Sequence, residues 1–125
     1  MNIIVPIGIG IALLIALCIR RSPKPREIVQ SLSPADRQFI ADQLEPITKL
    51  PLNTTDDEDA WYAATQQVME RLKTRFPDVA SVVPHALYHY IDDADIHRKK
   101  PSYRAGQQRY IVEFIHELRR PSQKT

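Results

Sequence analysis

His85, His89 and Asp92 fall at i, i+4 and i+7 of one helical run. At 100° per residue they lie within about 60° of arc, opposite Leu87 and Ile91, so two imidazoles and a carboxylate can converge on one point. A histidine pair one turn apart plus a carboxylate is a reasonable donor set for a divalent metal. Asp93, Asp95 and His97 are near enough to support or replace those ligands. One helix supplies at most three ligands and no closed shell, and a solvent-facing surface that happens to hold two histidines explains the same residues. The expectation is therefore no resident cofactor. A divalent metal at His85, His89 and Asp92, serving a metal-dependent enzyme or metal sensor, is the alternative.

Glu113 and His116 have the Glu-x-x-His spacing of bundle-core di-iron sites, which need a second such motif and further acids projecting inward. Here the motif occurs once. Both side chains point away from the face marked by Tyr110, Phe114 and Leu118, which makes them solvated or interfacial. Arg98, Lys99 and Lys100, followed by Arg104 and Arg109 with Tyr103 and Tyr110 interleaved, form the one basic patch with aromatics. Such a patch suits nucleic-acid phosphates or anionic headgroups beside Arg20 and Arg21. Both tyrosines fall on the apolar face and are not free to stack on bases, so nucleic acid is not the expected partner. The expected lipid or partner contacts are Arg20, Arg21, Arg98, Lys99, Lys100 and Arg104. The sequence has no glycine-rich phosphate loop, no Gly-x-Ser-x-Gly elbow and no Cys–His nucleophile pair. Cys18 is the only cysteine, which excludes an intrachain disulfide and a cysteine-based metal knuckle.

The elements that would carry these groups are helical. Ser33, Pro34 and Asp36 give an N-cap, a proline at the first helical position and an acid in the first turn, and Pro46 limits that helix to about three turns. Thr55 to Glu58 has the spacing of a capping box and opens a second helix with Trp61, Thr65, Val68, Leu72 and Phe76 on one face, closed by Pro77. The second helix is expected to centre the core, with Trp61, Val68 and Leu72 against Phe114 and Leu118. A third helix is expected from Pro84 to about Lys99, with Leu87, Tyr90, Ile91 and Ala94 inward. A fourth is expected from about Ser102 to Arg120. No segment shows a convincing period-2 alternation bounded by turn signals.

Residues 1–19 carry no charged side chain, and Arg20, Arg21, Lys24 and Arg26 follow at once. At 1.5 Å per residue this run makes about 28 Å of helix, close to the roughly 30 Å of a hydrocarbon layer. The positive charges come after the apolar core and no small-x-small site follows it, so the segment reads as a retained anchor and not a cleaved signal. By the positive-inside rule the N-terminus lies outside and the rest is cytoplasmic, on a bacterial inner membrane or an equivalent face. Gly8, Ala12 and Ala16, spaced by four, form a smooth ridge along which such helices pack, so a homo-oligomer or a partner helix could pair there.

Charge divides along the chain more than the net +2 suggests. Residues 27–70 hold nine acids against Arg37 and Lys49, whereas residues 71–125 hold eleven bases against six acids. The two halves could pair within the fold or face partners, and two solvated surfaces are the plain expectation. The fold expectation is all-α: a single transmembrane helix over residues 1–19, a basic, proline-containing juxtamembrane linker over 20–32, a bundle of four or five short helices over 33–120, and a disordered tail over 121–125. The function expected of this arrangement is non-enzymatic, a single-pass accessory or adaptor protein whose cytoplasmic domain binds a protein partner in a membrane complex.

Overall fold

Prolines begin three of the helices, because a proline at the first helical position gives up an N–H that has no intrahelical partner anyway. The computed structural model describes residues 24–121, and it is all-α over that span. The helices are α1 (Pro25–Ser31), α2 (Pro34–Leu44), α3 (Thr55–Arg75), α4 (His85–Asp92), α5 (Ala94–Lys99) and α6 (Pro101–Arg119). Single 3-10 turns at Glu45–Lys49 and Val79–Ser81 link α2 to α3 and α3 to α4. Among the described residues no helix is long and apolar enough to cross a membrane. The expected anchor at residues 1–19, with Gly8, Ala12 and Ala16, and its flanking Arg20 and Arg21 lie outside the described residues, as does the tail from 122 onward.

The expected linker is partly helix. Lys24 is extended and Pro25 starts α1, with the Glu27 carboxylate accepting from the Lys24 N–H at 3.4 Å. Ile28, Val29 and Leu32 are buried, so the packed region starts eight residues before Ser33. Pro25, within the expected proline-containing linker, takes a helix-starting position, and burial of the apolar residues behind it stabilises the helix. Ser33 caps α2 as its sequence indicates, accepting from the Asp36 N–H at 3.2 Å. The capping box of α3 sits one residue earlier than the spacing from Thr55 implied. Thr54 Oγ1 accepts from the Asp57 N–H at 3.1 Å, and Asp57 in turn accepts from the N–H groups of Asn53 and Thr54. Those donors favour the ionised form and hold the Asp57 carboxyl below its ordinary range, the Asn53 N–H most of all.

Trp61, Val68, Leu72, Phe114 and Leu118 all join one buried cluster. Its centre, however, is α6 and not the longer α3: α6 packs closely against α1, α2, α4, α5 and the Glu45–Lys49 turn, while α3 packs less extensively, against α2, α4, α5 and the same turn. The acidic first half and basic second half of the chain meet across these contacts. Arg75 pairs with Asp36 at 2.8 Å, Arg119 with Asp42 at 3.0 Å and Glu45 at 2.5 Å, and Arg98 with Glu58. The exposed pairs made by Arg75 and Arg119 are each worth at most about 1 kcal/mol, while Arg98–Glu58 is partly buried. Their consequence is geometric: part of each charged face is turned on the other.

Candidate functional site

The expected single helix from Pro84 to Lys99 is broken at Asp93, whose backbone (φ −104°, ψ 31°) ends α4 and begins α5. A helix end leaves carbonyls without intrahelical donors. Here three consecutive ones accept from aromatic or imidazole side chains. The Tyr90 carbonyl takes His97 Nε2 at 3.0 Å, the Ile91 carbonyl takes Trp61 Nε1 at 3.0 Å, and the Asp92 carbonyl takes the Tyr62 hydroxyl at 3.2 Å. The Tyr103 hydroxyl donates to Asp93 Oδ2 at 2.7 Å and fastens α6 to the same elbow. α3, α5 and α6 thus converge on the break.

His97 lies at the heart of this elbow, 1 % exposed. Its ring stacks on Tyr103 (centroids 5.2 Å apart, 28° between planes) and meets Tyr90 at 5.3 Å and Trp61 at 6.1 Å. A carbonyl can only accept, so Nε2 carries the proton and Nδ1 is bare, with no hydrogen-bond partner among the described residues. Burial lowers its pKa, outweighing the Tyr90 carbonyl and the nearby Asp93, both of which favour the charged ring. Considered from spacing alone, His97 was a spare metal ligand beside His85 and His89. One available signal pointed elsewhere: it extends the Leu87, Tyr90 and Ala94 stripe by three more positions.

The candidate metal residues His85, His89 and Asp92 are all exposed. The two imidazoles do stand together, with ring centroids 5.0 Å apart and planes at 80°. Among the described residues no group of three or more His, Cys, Asp or Glu side chains is gathered so as to hold a metal ion. Two ligands on one exposed turn give no enclosed shell. The full chain in detergent, loaded with zinc and passed through gel filtration, is expected to retain no stoichiometric metal. Stoichiometric zinc that disappears on His89→Ala would reverse that expectation.

The basic residues proposed for lipid or partner contact separate into two groups. Arg98 is held by Glu58, and Arg104 donates to the Leu50 carbonyl at 2.9 Å, so both are engaged within the domain. Lys99 and Lys100 stay exposed, at the start of α6. The chain enters the domain at the other end of that helix: Lys24, Pro25 and Arg26 face α6 from Tyr110 to Arg120 across an open groove of about 700 Å³. Eighteen steps of 1.5 Å put the two ends of α6 about 27 Å apart. Lys99 and Lys100 therefore lie at the opposite end of α6 from Lys24 and Arg26, while Arg20 and Arg21 lie outside the described residues. Glu113 and His116 are exposed and line the groove together with Tyr110, so they do not point away from that tyrosine as their spacing suggested.

The groove is amphipathic. Tyr110, expected on the apolar face, lies at its edge and is 38 % exposed, and with Val112 at 45 % it is one of the four large apolar side chains most open to solvent among the described residues. Around them stand Lys24, Arg26 and Arg120 with the acids Glu113 and Glu117, and Glu117 pairs with Arg120 at 3.0 Å. A shallower depression lined by Arg109 and Ala105 shares Val112 and carries the surface further along α6. No protein family, curated protein or solved structure matches the chain.

Proposed function

We propose that this chain is a single-pass membrane-anchored accessory or adaptor protein, with its N-terminus outside, whose cytoplasmic helical domain binds a protein partner within a membrane complex. The observation that supports it most is how little chain separates the apolar run from the packed domain. The uncharged run ends at Ile19 and α1 begins at Pro25, leaving five residues, three of them Arg20, Arg21 and Lys24. A charge-free run of that length followed at once by cations is the pattern of a stop-transfer anchor. A packed domain that starts directly behind it is held at the membrane surface, where a tethered partner is met at high effective concentration. The ridge of Gly8, Ala12 and Ala16 supplies a place for a second copy or a partner's helix to pack.

A reporter fused after Thr125 tests the topology. Activity is expected from a cytoplasmic reporter only, and activity of a periplasmic or lumenal reporter at that position overturns the orientation. Affinity purification from solubilised membranes tests the binding role. A partner that co-purifies with the full chain, and is reduced by Gly8→Ile or Ala12→Ile but not by Leu13→Ile, places the contact on the anchor. Recovery of the chain alone counts against the adaptor reading.

A further inference from the structure

We propose that the groove between α1 and α6 lies on the bilayer and takes anionic phospholipid headgroups, which would turn one defined face of the domain to the membrane. This rests on the membrane-anchored reading and adds to it an orientation and a ligand. The first argument is reach. Lys24 forms part of the groove wall and lies five residues past Ile19, the end of the uncharged run. Five extended residues span at most about 17 Å. Whatever surface the apolar run enters, the groove is within that distance of it.

The second argument is chemical complementarity. Lys24, Arg26 and Arg120 border the groove and Arg109 continues it; Arg120 and Glu117 pair with each other, which leaves Lys24, Arg26 and Arg109 against Glu113. The balance is cationic, and Arg20 and Arg21 precede it in the chain. Tyr110 and Val112 line the groove and are open to solvent on either flank of the outward face of α6, which is otherwise made of Glu113, His116, Glu117 and Arg120. A tyrosine with an apolar body and a polar tip suits the headgroup level of a membrane, and clustered lysine and arginine suit its anionic lipids. Cations around two separate apolar side chains, which stand on opposite flanks of the helix, match a lipid surface better than a protein helix, which would need a continuous apolar stripe to fill the groove.

The experiment uses the full chain with Cys18→Ser and a single reporter cysteine, Val112→Cys in the groove or Gln67→Cys on the exposed side of α3, each carrying a fluorophore. The chain is reconstituted into vesicles of phosphatidylcholine alone or mixed with phosphatidylglycerol, each doped with a lipid whose headgroup carries a spin-label quencher. Quenching at residue 112 is expected to be several-fold stronger than at residue 67, to rise further with phosphatidylglycerol, and to lose that rise in Lys24→Gln/Arg26→Gln/Arg120→Gln. Equal quenching at the two positions in vesicles that carry the chain overturns the groove proposal and leaves the anchor standing. Quenching at 112 that ignores lipid charge overturns the headgroup assignment. Energy transfer between two differently labelled copies that is stronger at 112 than at 67 and persists in Gly8→Ile, which disrupts pairing along the anchor, shows a second copy in the groove and overturns it as well. A chain that fails to float with either kind of vesicle removes the anchored reading itself, and the groove proposal with it.

Discussion

Trp61→Ala is expected to remove about 3–5 kcal/mol of stability, the cost of deleting a large buried aromatic. A domain of this size has roughly 5–15 kcal/mol in all. Trp61 has no exposed surface, meets the Tyr90 ring edge-on at 5.1 Å and donates its indole N–H to the Ile91 carbonyl at 3.0 Å. The alanine variant loses the packing and the hydrogen bond together. Trp61→Phe separates them, because it keeps most of the ring and strands only the Ile91 carbonyl, a buried acceptor whose loss costs about 1–3 kcal/mol. Urea denaturation of the full chain in mild detergent, followed by circular dichroism because Trp61 is the only tryptophan, gives both values. A phenylalanine variant as stable as the parent would mean that the Ile91 carbonyl finds another donor. The elbow would then not depend on the indole.

Local signals marked the helices whose ends are set by their own residues. Ser33 and Pro34 start α2, Pro46 falls in the turn that ends it, and Pro77 follows α3, each through an effect confined to a few neighbouring residues. The Asp93 break was not legible for the opposite reason. No glycine or proline stands there, and the donors that make the break tolerable, Trp61 and Tyr62, come from thirty residues away. α1 was hidden by ambiguity, since Pro25 reads equally as a helix breaker and a helix starter until Ile28 and Val29 are seen to be buried. The groove was invisible for a similar reason. Lys24 and Arg120 sit at opposite ends of the sequence, and only the packing of α1 on α6 brings them to one surface.

Acid is expected to weaken the domain through His97. Burial drives this ring toward neutrality, so its pKa in the folded chain lies below the ordinary value of 6.5, which the unfolded chain keeps. The sign follows. Above 6.5 both states leave the ring neutral and its contribution is fully present. As the pH falls below 6.5 the unfolded chain binds a proton that the folded chain refuses, so stability falls until the folded pKa is passed and then levels. Protonation would place a second N–H on Nδ1, which has no acceptor among the described residues and faces the walls of Trp61, Tyr90 and Tyr103. The nearby Asp93 and Asp95 favour the charged ring and Arg104 opposes it, so the two carboxylates narrow the window without closing it. The urea midpoint of the full chain should therefore hold between about pH 8 and 7 and drop as the pH falls from about 6.5 toward 5. His97→Gln can still donate to the Tyr90 carbonyl through its amide but cannot titrate, and its midpoint should be flatter over the same range. His97→Ala strands that carbonyl and opens a void beside three aromatic rings, costing about 1–3 kcal/mol for the carbonyl alone at any pH. If His97→Gln keeps the parent's slope, the acid sensitivity belongs to native carboxylates such as Asp57, whose pKa is lowered by its capping bonds, and not to the buried imidazole.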